Sequence, residues 1–120
     1  MDENEISCLI RGEIFATYNA LESAYEAVLT QILIEDGLNV KRQVPFPIIF
    51  NGVKLKVGYH VDLLINNLVI IEIKSIESLD TVHHKQVLTY LKLPGIKLGL
   101  LVNFNTINIA DSIHRKLNGL

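Results

Sequence analysis

Cysteine is nearly absent from this chain. The single thiol, Cys8, excludes an intramolecular disulfide and any zinc site built from several cysteines, the pattern expected of a reducing, cytoplasmic setting. Proline occurs three times, and two of the three, Pro45 and Pro47, fall in one segment. No apolar run approaches the roughly 18 residues that read as a membrane span, because Lys, Arg, Asp, Glu, Asn or Gln always interrupts it first. No membrane partner is expected. Basic runs never exceed two residues, and 11 Lys and Arg stand against 13 Asp and Glu for a net charge of −2. The chain as a whole is therefore no polycation, and any contact with nucleic acid must use a local patch. The opening Met-Asp-Glu-Asn-Glu is acidic where a secretory signal would be basic. Repeats, low-complexity tracts and linkers are also missing. What is present is 120 residues with a 49% hydrophobic composition, enough for one domain spanning 1–120 around a real core.

Apolar residues Ile6, Leu9, Ile10, Ile14 and Phe15 recur three or four apart, which predicts a helix over about 3–17, with Cys8 packed on its apolar face. A second helical pattern runs through Leu21, Tyr25, Val28, Leu29, Ile32 and Leu33, opened by Asn19 and Glu22 as a capping pair and closed by Gly37. The two are one bent helix or two. After Gly37 the pattern turns to strand. Pro45 and Pro47 lack the N–H that a central strand needs, so residues 39–50 read as an edge strand or irregular arm. Asn51-Gly52 between two apolar runs is a strong hairpin signal. A strand over 59–65, a turn at Asn66-Asn67 and a return through Leu68-Val-Ile-Ile-Glu-Ile-Lys74 complete a meander. Leu79, Val82, Tyr90 and Leu93 mark a helix stopped by Pro94-Gly95, and the buried strand 96–104 that follows is expected to run parallel to a meander strand. A short strand at 107–109 and a helical turn from Asp111 are expected to end the chain.

The chemically informative residues are polar groups where the periodicity calls for apolar ones. Glu72 and Lys74 lie two apart, so both project from one face of an otherwise apolar strand. Asp62 stands on the preceding strand, Gln86 on the apolar stripe of the following helix, and Glu22 at the border of an earlier core face. Two carboxylates on adjacent strands can hold Mg²⁺ at about 2.0–2.1 Å, and the ion polarises a phosphodiester and acidifies its bound water. A neighbouring lysine then positions that water or stabilises the transition state. The competing account is an ion pair on a solvated strand face. His83 and His84 are adjacent on a helix and cannot face one ion together; like His60 they read as solvated or phosphate-contacting.

Asp62, Glu72-Ile73-Lys74 and Gln86-Val-Leu-Thr-Tyr90 resemble the D…(D/E)xK core of the PD-(D/E)XK nuclease superfamily with the QxxxY motif of its RecB-like branch. Together with Asn19-Ala-Leu-Glu22-Ser-Ala-Tyr25-Glu26, Val57-Gly58-Tyr59-His60-Val61-Asp62, His83-His84-Lys85 and Gly99-Leu-Leu-Val-Asn103-Phe104, they are similar to the small bacterial and archaeal GxxExxY proteins. The resemblance covers roughly residues 8–105. It implies an α/β, restriction-endonuclease-like core, a mixed and mostly antiparallel sheet flanked by helices, and a Mg²⁺- or Mn²⁺-dependent nuclease acting on nucleic acid, with DNA as the expected partner. By position, Asp62, Glu72, the Ile73 carbonyl and Glu22 would be metal ligands, Lys74 the catalytic lysine, and Gln86 and Tyr90 its orienting groups. Two departures stand out. Asn19 replaces the glycine of the motif name, and Val61 the proline before the aspartate. Substrate grip would come from Lys54, Lys56, Lys85, Lys92 and Arg115. Each role has a plainer alternative: Glu22 as a capping partner of Asn19, Gln86 as a satisfied helix-to-sheet tie, Tyr90 as core. For the whole chain the alternative is a catalytically silent module that binds nucleic acid or protein, or a structural homo-oligomer.

Strand parity makes the metal reading testable. A two-residue loop of Asn66 and Asn67 would pair Ile65 with Leu68 and set Asp62 opposite Ile71, leaving the two carboxylates on opposite faces. The site needs one residue more. A three-residue loop or a bulge pairs Ile65 with Val69 and Asp62 with Glu72, and Asn66 or Asn67 can supply the positive φ.

Overall fold

The computed structural model describes residues 1–18, 24–92 and 95–120. Helix α1 (Glu3–Thr17) starts at Asp2, whose carboxylate accepts the Glu5 N–H at 2.8 Å. Ile6, Ile10 and Ile14 are fully buried along one stripe of α1. Cys8 and Phe15, expected on that apolar face, are instead exposed, because each sits about 100° or more around the helix from the isoleucine row. Helix α2 (Tyr25–Glu35) ends in a glycine stop: Gly37 has φ 87°, and the Gly37 and Leu38 N–H groups bond the carbonyls of Ile34 and Leu33. The expected capping pair of Asn19 and Glu22 lies outside the described residues.

One sheet of five strands follows, in the order β1 (Val40–Phe50), β2 (Val53–Ile65), β3 (Val69–Lys74), β4 (Leu98–Asn103), β5 (Ile113–Leu117). All neighbours are antiparallel except β3 and β4, which helix α3 (Thr81–Lys92) connects by a crossover. This is a mixed α/β fold with a mainly antiparallel sheet. Strand β1 is an edge, as its prolines require, and its register with β2 shifts between Pro47 and Ile49. The chain end reverses the expected order: a 3₁₀ turn (Ile109–Ser112) precedes a strand, and β5 pairs with β4 as the other edge. Lone alternation in Ile113–Leu117 is too short to separate from a helical turn by pattern.

Both sheet faces are covered. Helices α1 and α2 close one side over Leu63, Ile65, Val69, Ile71, Leu98, Leu100 and Val102. Helix α3 closes the other with Val87, Tyr90 and Leu91 over Leu64, Ile70 and Leu101. Val82, expected on that buried stripe, is 64% exposed, and Leu93 lies outside the described residues. Gly99 lets α3 sit close to β4, since a Cβ there would meet Val87 Cγ1 at 3.0 Å and Leu91 Cδ2 at 3.1 Å.

The β2–β3 connection takes the longer form. Asn66 and Asn67 both have positive φ, 52° and 56°, the Leu68 N–H bonds the Ile65 carbonyl, and Ile65 pairs with Val69. Leu68 is therefore the extra residue. The ladder ends at Leu63 and Ile71, one residue short of Asp62 and Glu72.

Candidate active site

The ladder between β2 and β3 stops at Leu63 and Ile71, and beyond it two side chains take over the backbone's hydrogen bonding. Glu72 Oε1 accepts the Asp62 N–H at 2.9 Å, and Asp62 Oδ2 accepts the Ile73 N–H at 2.7 Å. The two carboxylates are thus held side by side in the gap where the strands part. On the other flank of Asp62, the register places Gln43 of β1, which donates from Nε2 to Asp62 Oδ1 at 3.2 Å. Gln43 has φ 49°, a conformation that costs an L-residue about 1–2 kcal/mol and persists only when its surroundings hold it. Its amide also reaches Glu26 of α2 at 3.1 and 3.3 Å, and Glu26 pairs with Arg42 at 3.4 Å.

Burial and mutual repulsion set the electrostatics. Glu72 is only 3% exposed, and burial first, then the Asp62 charge, push its pKa up to about 7 despite the Asp62 N–H and the nearby Lys74. Asp62 is raised as well, chiefly by burial and further by Glu26, against the bonds from Ile73 and Gln43. Lys74 stabilises both carboxylates electrostatically and lines an open cavity of about 540 Å³ with Val82, His83, Lys85, Gln86 and Thr89. Gln86 Nε2 donates to the hydroxyl of buried Tyr90 at 2.7 Å, which ties the cavity-lining amide to a residue one turn along α3.

Of the residues singled out from the sequence, the fold brings together Asp62, Glu72, Lys74, Gln86 and Lys85, with Tyr90 beneath. Lys92 follows Lys85 by seven residues and continues its helix stripe. Lys54 lies apart, near the tip of the β1–β2 hairpin, and the side chain of Lys56 is outside the described residues, as is Glu22. Arg115 is not brought to the cleft: it opposes Leu100, whose side chain belongs to the α1 and α2 side, and its guanidinium meets Asn4 of α1. The paired histidines diverge. His83 Nδ1 accepts the Asp80 N–H at 2.9 Å and its ring lines the cavity, while His84 packs edge-on against His114 at 5.0 Å. Burial, then Lys116, holds both His84 and His114 below the ordinary imidazole value. Sequence reasoning missed Glu26, Gln43 and Asn103. Asn103 bonds the Ile76 N–H, the Ile76 carbonyl and the Asn105 N–H, pinning the segment that leaves Lys74. Its signals were its place in the Gly99–Phe104 motif and its polar side chain at the end of the apolar run 98–102, neither of which assigns it a role.

The motif tyrosine has a structural duty. Tyr25 stacks on Phe104 with ring centroids 4.1 Å apart, while the Tyr18 hydroxyl donates to the Thr106 carbonyl, so both ends of the stretch between α1 and α2 are tied to the loop after β4. The family model of the PD-(D/E)XK nuclease superfamily matches residues 4–116. The chain belongs to that superfamily. No curated protein and no solved structure gives a significant match. Nucleases of the PD-(D/E)XK superfamily generally use divalent metals. The donors present here suit one: a magnesium ion needs only one or two protein carboxylates beside water and substrate oxygens, and two buried, mutually repelling carboxylates gain most from a shared cation. Among the described residues no set of three or more His, Cys, Asp and Glu is placed to hold an ion.

Proposed function

We propose that this PD-(D/E)XK domain is a Mg²⁺- or Mn²⁺-dependent nuclease of the GxxExxY type, hydrolysing phosphodiester bonds in DNA. The observation that carries the reading is the pair of reciprocal bonds, Glu72 to the Asp62 N–H and Asp62 to the Ile73 N–H, which hold the two carboxylates side by side while Lys74, next along β3, lines the α3 cavity. Ile73 supports it. Its N–H bonds Asp62, and because both polar groups of a strand residue point to the same neighbour, its carbonyl is turned toward the same gap.

When bound, the metal would polarise the phosphodiester and supply an acidified water. Asp62, Glu72 and the Ile73 carbonyl would hold it. Lys74 places a positive charge where negative charge develops on the phosphoryl oxygens, in a half-buried setting that strengthens the interaction. Gln86, its amide nitrogen committed to Tyr90, presents its carbonyl oxygen to Lys74 or to the attacking water. Glu22 remains the proposed additional helix carboxylate, while Glu26, hydrogen-bonded to Gln43, adds negative charge near Asp62. Lys85 and Lys92 line the approach on α3.

The test is incubation of purified protein with plasmid and linear DNA in Mg²⁺ or Mn²⁺. Cleavage is expected, with loss in EDTA and in Lys74→Ala. Cleavage that survives either treatment overturns the mechanism, and a correctly folded wild-type protein that leaves every substrate intact favours the silent binding module.

A further inference from the structure

The β1–β2 hairpin outgrows its sheet. Strand β3 pairs with β2 only at Leu63–Ile65, whereas the β1 pairing runs on from Val40 and Ile65 to Phe50 and Val53. Beyond the row of Gln43, Asp62 and Glu72 the two strands therefore form a ribbon with no third strand beside it. The seven residues after Gln43, up to Phe50, carry that ribbon roughly 20 Å past the carboxylates.

Its tip is apolar and open. Phe50 is 66% exposed, Val53 59% and Leu55 41%. Phe50 pairs with Val53, and Leu55 lies two further on, so all three share one face of the ribbon. The charge is one-sided as well. Residues 39–61 hold four of the 11 Lys and Arg, namely Lys41, Arg42, Lys54 and Lys56, and none of the 13 Asp and Glu, in a chain whose net charge is −2. Arg42 and Lys41 are engaged at the root by Glu26 and Asn67. Lys54, near the tip, is exposed.

We infer that this ribbon is an arm that grips an unpaired stretch of nucleic acid beside the cleft, with bases stacked on the Phe50 face and phosphates met by Lys54 where the nucleic-acid strand crosses the ribbon's edge. The inference rests on the nuclease reading above and adds the form of the substrate. An exposed apolar face on a ribbon that carries basic and no acidic residues fits no generic polyanion: in a duplex the flat apolar faces of the bases are hidden in the stack, and only unpaired bases offer them to an aromatic side chain.

Fluorescence anisotropy in EDTA, with labelled single-stranded and blunt duplex oligonucleotides of equal length, reads the arm without cleavage. The single strand should bind at least tenfold more tightly than the duplex. Phe50→Ser should lose roughly five- to a hundredfold in single-strand affinity, and Lys54→Glu should weaken binding and flatten its salt dependence. Both positions are exposed, and matching circular dichroism and melting curves confirm the fold of each variant. Equal affinity for the two oligonucleotides, or wild-type affinity in both variants, overturns the arm. If Lys74-dependent cleavage persists in that case, the nuclease reading stands alone; if wild type binds no DNA, both fall. Sedimentation that shows a dimer broken by Phe50→Ser would assign the tip to self-association and overturn the proposal.

Discussion

At the scale of single residues, Glu72 is a buried carboxylate whose ionised form is disfavoured by burial and by Asp62. Its pKa rises from 4.5 to about 7 on folding, so the folded state holds this proton more tightly than the unfolded one. The sign follows: metal-free stability is lost as pH climbs from about 4.5 through 7, by about 3 kcal/mol in all. Glu72→Gln keeps an acceptor for the Asp62 N–H and removes the charge. In the absence of metal it should be more stable than wild type at pH 8, by up to about 3 kcal/mol, and equal to it near pH 4, as denaturant titrations at the two pH values will show. Mn²⁺ should raise the melting temperature of wild type at pH 8 and leave Glu72→Gln unmoved; an equal rise in both would place the ion elsewhere. Asp62, Glu72 and Lys74 were legible in the sequence because a charged group in an apolar strand is conspicuous. Gln43 and Glu26 were not, because nothing in the composition marks a residue that will be forced to positive φ, or a helix carboxylate that will face a strand from another part of the chain.

Elements add constraints that no single side chain carries. The Asn66–Asn67 turn holds two consecutive L-residues at positive φ, which asparagine tolerates and alanine does not. Asn67→Ala should cost about 1 kcal/mol in urea titration and Asn67→Gly almost nothing; equal losses would mean that the side-chain bond to Lys41, not the backbone, is what matters. At the α3 interface, Gly99→Ala puts a methyl against Val87 and Leu91 at distances real Cβ contacts rarely show. A loss of about 1–3 kcal/mol is expected, together with weaker nuclease activity as Gln86 shifts relative to Lys74. Wild-type stability in this variant would show that α3 is loosely seated. Helix α1, the glycine stop of α2, the hairpin at Asn51-Gly52 and the parallel β3–β4 pair follow from periodicity and turn chemistry alone. The chain end did not, since a five-residue edge strand draws its stability from pairing with β4 rather than from its own pattern.

For the whole molecule the question is how a protein of net charge −2 approaches a polyanion. Its cations must act locally, from the ribbon and from the α3 side of the cleft, and three to five phosphate contacts of that kind lower single-strand affinity on the order of 20- to 100-fold between 50 and 200 mM salt. A flat salt dependence would exclude nucleic acid as the ligand. The sheet's order has a further consequence, for solubility. A five-stranded sheet ends in two unpaired strands, each a template on which other chains can add and aggregate. On β1 this hazard is met by Pro45 and Pro47, which offer no N–H, and by the backbone twist at Gln43. On β5 it is met by brevity and by Arg115 and Lys116 in a row. The same prolines that kept β1 from reading as a central strand therefore guard the rim of the sheet against joining another.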